Sequence, residues 1–239
     1  MQTLKNSLKY FFAEEILKDM YSSKKHKALT DNYDKLKDVS HGYEYSLEDI
    51  LRMYAKIFKS EMNRKAVKIV LDSLSKEERY LIQLKYGQEK QILAISFNLN
   101  MSVGRISLLH RAILEKIIRF VTYELTIDDI FYKKKIVGML ELLNISIEFF
   151  SMLSTEYKGI RKDWLAELKR KKNNYKKILE CIENFEREGK KNSYYATVIT
   201  KFENPNETKS YVANVCHLER SVARKYLNIF KNSMRRYFE

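Results

Sequence analysis

Residues 71–121, LDSLSKEERYLIQLKYGQEKQILAISFNLNMSVGRISLLHRAILEKIIRFV, decide how the chain is read. Ser75 followed three residues later by Glu78 is the signature of a capping box, and Tyr80, Leu81, Ile82 and Leu84 follow it at helical spacing. Residues 92–99 predict a short helix, and Asn100-Met101 a turn. Ser102 is placed to cap a third helix that runs to about Val121, because its hydroxyl can accept from amides the first turn leaves unpaired. Ile95, Leu99, Met101, Ile106 and Leu109 are the expected small core between the last two helices, which such a turn sets at a steep angle. Val103, Arg105, Ser107, His110 and Arg111 are expected to point outward.

The flanking chain agrees with an all-α protein. Six Gly and one Pro in 239 residues are too few for the tight turns of a sheet protein, and 45% apolar residues are enough for a globular core. Helices are expected over residues 4–21, from Ser46 through Ile57, and over residues 62–74, with residues 22–42 a loop or frayed helix. Beyond 121, residues 127–132 open a second half. The apolar stretch 136–153 is interrupted by Glu141, Asn144, Ser146 and Glu148, and is expected to be a core helix rather than a membrane span. A long helix should cover residues 157–185, Gly189 to Asn192 should break it, and Asn204-Pro205-Asn206 should turn the chain between a helix over 194–202 and a last helix pair over 208–216 and 219–238.

The 71–121 segment resembles region 4 of the sigma-70 family. The resemblance is carried by Leu74, Glu78, Arg79, Leu81, Ile82, Leu84, Tyr86, Ile95, Leu99, Met101, Ser102, Gly104, Ile106, Arg111 and Ala112. The family opens its second helix with an acid, an apolar residue and Ala, where this chain has Ala94, Ile95 and Ser96. It has Gly in the turn, where this chain has Asn100. The resemblance implies a helix-turn-helix that reads a promoter element in the major groove, and a second contact with the flap of RNA polymerase.

The segment YYATVITKFENPNETKSYVANVCHLERSVARKYLNIFKNSMRRYF, residues 194–238, lies over the first at an offset of 116 to 117 residues. Val212 falls near Ile95, Cys216 near Leu99, Leu218 near Met101 and Val222 near Ile106. The expected organisation is therefore two small helical domains, 1–125 and 126–239, joined by long helices. Each ends in a helix-turn-helix, at about 75–121 and about 194–238.

Charge favours a polyanionic partner. The formal net charge is +14. Residues 90–122 hold five basic side chains against one acid, and residues 209–238 hold seven against one. The expected partner is double-stranded DNA. Its expected contacts are Ser102, Val103, Arg105, Ser107, His110, Arg111 and Arg119 in the first copy. In the second they are Arg220, Arg224 and Lys225, with Arg235 and Arg236 as phosphate clamps. The run Lys169 to Lys172 with Lys176 and Lys177 is read first as a solvated helix face, with a backbone-binding stripe or a nuclear signal as the alternative.

Catalysis finds no pattern. His26, His41, His110 and His217 form no metal-binding pair, and Gly189-Lys190-Lys191 lacks the upstream Gly of a phosphate loop. No cofactor, metal or enzymatic activity is expected. Cys181 and Cys216 show no paired spacing, and no apolar leader opens the chain, which together suggest a cytoplasmic protein. The other reading of the same features is a phage or mobile-element protein that occupies a host nucleoprotein machine through a basic helical surface.

Overall fold

A computed structural model describes residues 2–21, 46–156 and 160–238. The expected loop at 22–42 lies outside them. Every regular element among the described residues is helical. In chain order these are α1 (Gln2–Tyr21), α2 (Leu47–Asp72), α3 (Lys76–Ile82) running into a π-turn (Gln83–Gly87), α4 (Ile92–Leu99) and α5 (Val103–Val121). A 3-10 turn (Ile127–Phe131) leads to α6 (Lys133–Glu156), α7 (Lys162–Glu188), α8 (Ser193–Glu203), α9 (Lys209–Val215) and α10 (Arg220–Met234), which ends in a 3-10 turn (Arg235–Tyr237).

Local chemistry explains most boundaries. The capping box of α3 is complete: Ser75 Oγ accepts from the Glu78 amide at 3.2 Å, and Glu78 accepts from the Ser75 amide at 3.0 Å. Glu78 also accepts from Lys116 Nζ at 2.6 Å, which ties α3 to α5. Burial pushes its carboxyl up, but the bonds from Lys116 and Ser75 prevail and hold it below the ordinary range. Ser46 caps α2, and its hydroxyl donates to Asp49 at 2.6 Å. Residues 47–72 form one helix where two were expected, since no Gly or Pro interrupts the chain between Phe58 and Met62.

The chain forms two compact units. One comprises Met1–Tyr123 with Ile145–Leu165, the other Glu124–Asn144 with Ala166–Glu239. The first therefore takes in residues well past the expected boundary at 125, because α6 serves both units. In the first unit Phe149 stacks on Phe58 at 3.8 Å, and Phe150 meets Phe58 and Trp164 edge-on. Ala13, Ile16 and Leu17 of α1 are buried, whereas Phe11 and Phe12 are exposed. In the second unit Phe230 is fully buried and its ring meets those of Phe131, Phe185 and Phe202.

By length and hydropathy α6 qualifies as a membrane span, with a mean hydropathy of 1.7. Seven of its apolar side chains, Ile136, Met139, Leu142, Leu143, Ile147, Phe150 and Leu153, are buried within the protein, while Ile145 and Met152 are exposed.

Candidate nucleic-acid interface

Residues 92–121 of the first unit form a helix, a tight turn and a helix. The axes of α4 and α5 meet at 101°. The turn is a Schellman motif in which Asn100 takes the left-handed conformation (φ 49°, ψ 48°). Its amide donates to Phe97 O at 3.3 Å, and the Met101 amide donates to Ser96 O at 3.0 Å. Asn tolerates this backbone better than most residues, so it serves where glycine is usual. Ser102 then caps α5 by accepting from the Arg105 amide at 3.3 Å.

The second unit repeats this construction 117 residues later. The residues preceding the three helices are Ser75, Gln91 and Ser102 in the first unit and Asn192, Thr208 and Glu219 in the second. His217 takes the left-handed conformation of Asn100, at φ 52°. Its amide donates to Asn214 O at 3.1 Å and the Leu218 amide donates to Ala213 O at 2.9 Å, the same two bonds at the same spacing. Burial follows: Ile95, Ile106, His110, Ile113 and Ile117 correspond to Val212, Ala223, Leu227, Phe230 and Met234, all buried. The partner of Ile106 is thus Ala223, one residue beyond the expected Val222. Lys201 Nζ steadies the turn before α9 by donating to Pro205 O at 2.8 Å and Glu207 O at 2.6 Å.

The expected contact residues divide sharply. On α5, Val103, Arg105 and Ser107 are exposed, and Ser102 is exposed while acting as the cap. His110 does not face outward; it is 7% exposed and shares a 2.8 Å hydrogen bond with Tyr86 through Nε2. Burial, with Lys85 nearby, lowers its pKa to about 4. The reason lies in its spacing: Ile106, His110, Ile113 and Ile117 form one inward stripe. Leu109, expected in the core, is half-buried. Arg111 is exposed but engaged, donating from Nε to Tyr10 Oη at 3.1 Å, with Glu115 Oε1 3.6 Å away. Arg119 is half-buried and donates to Glu115 O at 3.3 Å.

On α10, Arg220, Arg224 and Lys225 are all exposed. No described carboxylate lies within 4.0 Å of these three, nor of Arg105 or Arg235. Arg235 and Arg236 are exposed in the closing 3-10 turn, where Arg236 donates to Tyr237 Oη at 3.0 Å. Lys231, counted in the basic excess, is bound to Asp128 and sits over the Phe131 ring.

Sequence reasoning missed two features. Lys209, at the start of α9, joins Arg220, Ser221 and Arg224 around a cleft of about 250 Å³. In the first copy, Leu93, Phe97 and Leu108 are exposed, Phe97 to 78% and Leu108 to 71%. Helical spacing placed Leu108 on the face opposite His110, and that signal was available. Comparison with models of known protein families, with curated proteins and with solved structures found no match.

Proposed function

We propose that this protein binds double-stranded DNA and regulates transcription, inserting α10, and with it α5, into the major groove. The observation that carries the reading is the exposed face of α10: three cations, Arg220, Arg224 and Lys225, unpaired by any described carboxylate, on a helix whose other face is fully buried. A helix held by its inner stripe against a small core, after a steep turn, presents its N-terminal side chains beyond the body of the unit. Cations there displace the condensed counterions of DNA, and that release supplies the sequence-independent part of affinity. Sequence would be read by Arg105 on base edges and by Val103 and Leu108 against thymine methyl groups, while Arg220 and Arg224 would meet the backbone phosphates. The similarity of residues 71–121 to sigma region 4 supports promoter DNA as the target.

The test is selection of bound fragments from random duplex DNA, followed by a salt titration on the selected and a scrambled site. A preferred site bound at least a thousandfold more tightly than scrambled duplex is expected, in the range of specific regulators. Equal affinity for both would overturn the regulator reading.

A second reading is favoured by one observation, the exposed Leu93, Phe97 and Leu108 on the first helix pair. Leu93 and Phe97 lie one turn apart on α4, and exposed apolar side chains so placed mark a protein contact. In this reading the first copy docks on RNA polymerase, the partner the sigma resemblance implies, or on another host nucleoprotein machine. Phe97→Asp would then abolish binding to purified polymerase and leave duplex affinity unchanged.

A further inference from the structure

The two copies share a backbone plan but not a surface, and the difference concentrates at one cleft. Its lining residues Lys209, Arg220, Ser221 and Arg224 come from two helices, α9 and α10. Three of the four are cations. At the same positions, 117 residues earlier, the first copy has Ile92, Val103, Gly104 and Ser107, with no cation among them. The basic cleft is therefore not a by-product of this helix-turn-helix plan. It is found in the second copy and not in the first.

We propose that this cleft is a phosphate-binding site peculiar to the second copy. Three positive side chains line one concave space of about 250 Å³, where their like charges repel and an anion would offset that repulsion. Arg220 and Arg224, one turn apart on α10, supply planar donor forks suited to phosphate oxygens, and Lys209 supplies a point charge from the other wall. The opposing group is Glu219, whose carboxylate accepts from Ser221 Oγ at 3.3 Å at the rim. Three charges against one leave the cleft positive. Two sources carry the group it would hold: a bridging phosphate of duplex DNA and a free phosphate. The first rests on the DNA-binding reading; the existence of the site does not.

The experiment uses the full chain, wild type and the double variant Lys209→Gln/Arg224→Gln, with Lys209→Arg as a conservative control and circular dichroism to verify folding. Inorganic phosphate is titrated at fixed ionic strength while backbone amide resonances are followed by NMR. Saturable shifts are expected at residues 209, 220, 221 and 224 and not at 92, 103, 104 and 107; the double variant should lose them and Lys209→Arg retain them. Shifts of similar size in both copies, none at all, or shifts that survive in the double variant would overturn the site. The salt dependence of duplex binding is measured on the same proteins. A slope reduced by about 1 or more in the double variant assigns the site to a backbone phosphate. An unchanged slope in the double variant, with phosphate shifts present in the wild type and lost in the variant, assigns it to free phosphate. Loss of all duplex binding by the wild type would defeat the DNA reading and leave the cleft to be judged by the phosphate titration alone.

Discussion

The helix pairs at 92–121 and 209–234 are built on one backbone pattern and finished with two chemistries. Helix starts, the left-handed turn residue and the buried stripe recur at a spacing of 117 residues, though Thr208 and Ser102 cap their helices and the matching Gln91 and Glu219 do not. Outside that frame almost nothing recurs. Val103, Ser107 and Leu108 of the first copy stand where the second has Arg220, Arg224 and Lys225, and buried His110 stands where the second has Leu227. Inward positions and turn geometry set the fold, so they tolerate little; outward positions carry no folding constraint and are free to diverge in function.

The largest contrast should appear in the cores. Phe230→Ala removes a ring that meets three others and should cost about 3–5 kcal/mol, while Ile113→Ala, at the matching position, should cost about 2–4 kcal/mol. Urea denaturation of both variants measures this, and a cheaper Phe230→Ala would contradict the packing described.

Acid should separate the copies next. The folded-state pKa of His110, about 4, lies below its unfolded value near 6.5, so the unfolded chain takes up a proton first as pH falls. The contribution of His110 to the stability of the first unit should therefore decline between pH 6.5 and 4, by an amount on the order of 3 kcal/mol, and be fully lost below that, where loss of the Glu78 carboxylate takes over. The double variant Tyr86→Phe/His110→Leu installs the apolar residue of the second copy without stranding the Tyr86 hydroxyl, and should flatten that decline. Denaturant midpoints across this pH window check both statements.

For DNA, Arg220→Ala should weaken binding more than Arg105→Ala, since its cationic neighbours act with it. Arg105→Ala should instead relax preference at one base position, worth about 1–3 kcal/mol of discrimination. Competition assays on the selected site and its single-base variants separate the two. A uniform, sequence-blind loss from Arg105→Ala would argue against base reading by α5.

The smallest difference concerns the turns. His217 and Asn100 both hold positive φ, but Asn bears it more easily. His217→Gly should stabilise by up to about 1 kcal/mol, and Asn100→Gly by a few tenths at most. Thermal melts of the two variants suffice to rank them.

Much of this was legible in the residues because the determinants are local. Ser75 and Glu78, or Ser102 and the Arg105 amide, lie three residues apart, within one helical turn, so their pairing follows from sequence spacing. The offset of the two copies was also legible, to within one residue. What was not legible depended on distant partners. Arg111 looks like a free cation until α1 brings Tyr10 to it, across 101 positions of sequence. Nothing in residues 133–156 marks where α6 passes from one unit to the other, because an uninterrupted helix carries no local sign of which core it packs against.

Composition and periodicity were enough to establish an all-helical chain, its caps, its turns and an excess of positive charge near two helix pairs, since each is written in residue types a few positions apart. Which of those charges stand unpaired, which histidine is enclosed, and that Lys209 faces Arg220 and Arg224 across a shared cleft were set by folding. Exposure and convergence are properties of distance in space, and side chains on different helices acquire a distance from one another only when the cores beneath them form.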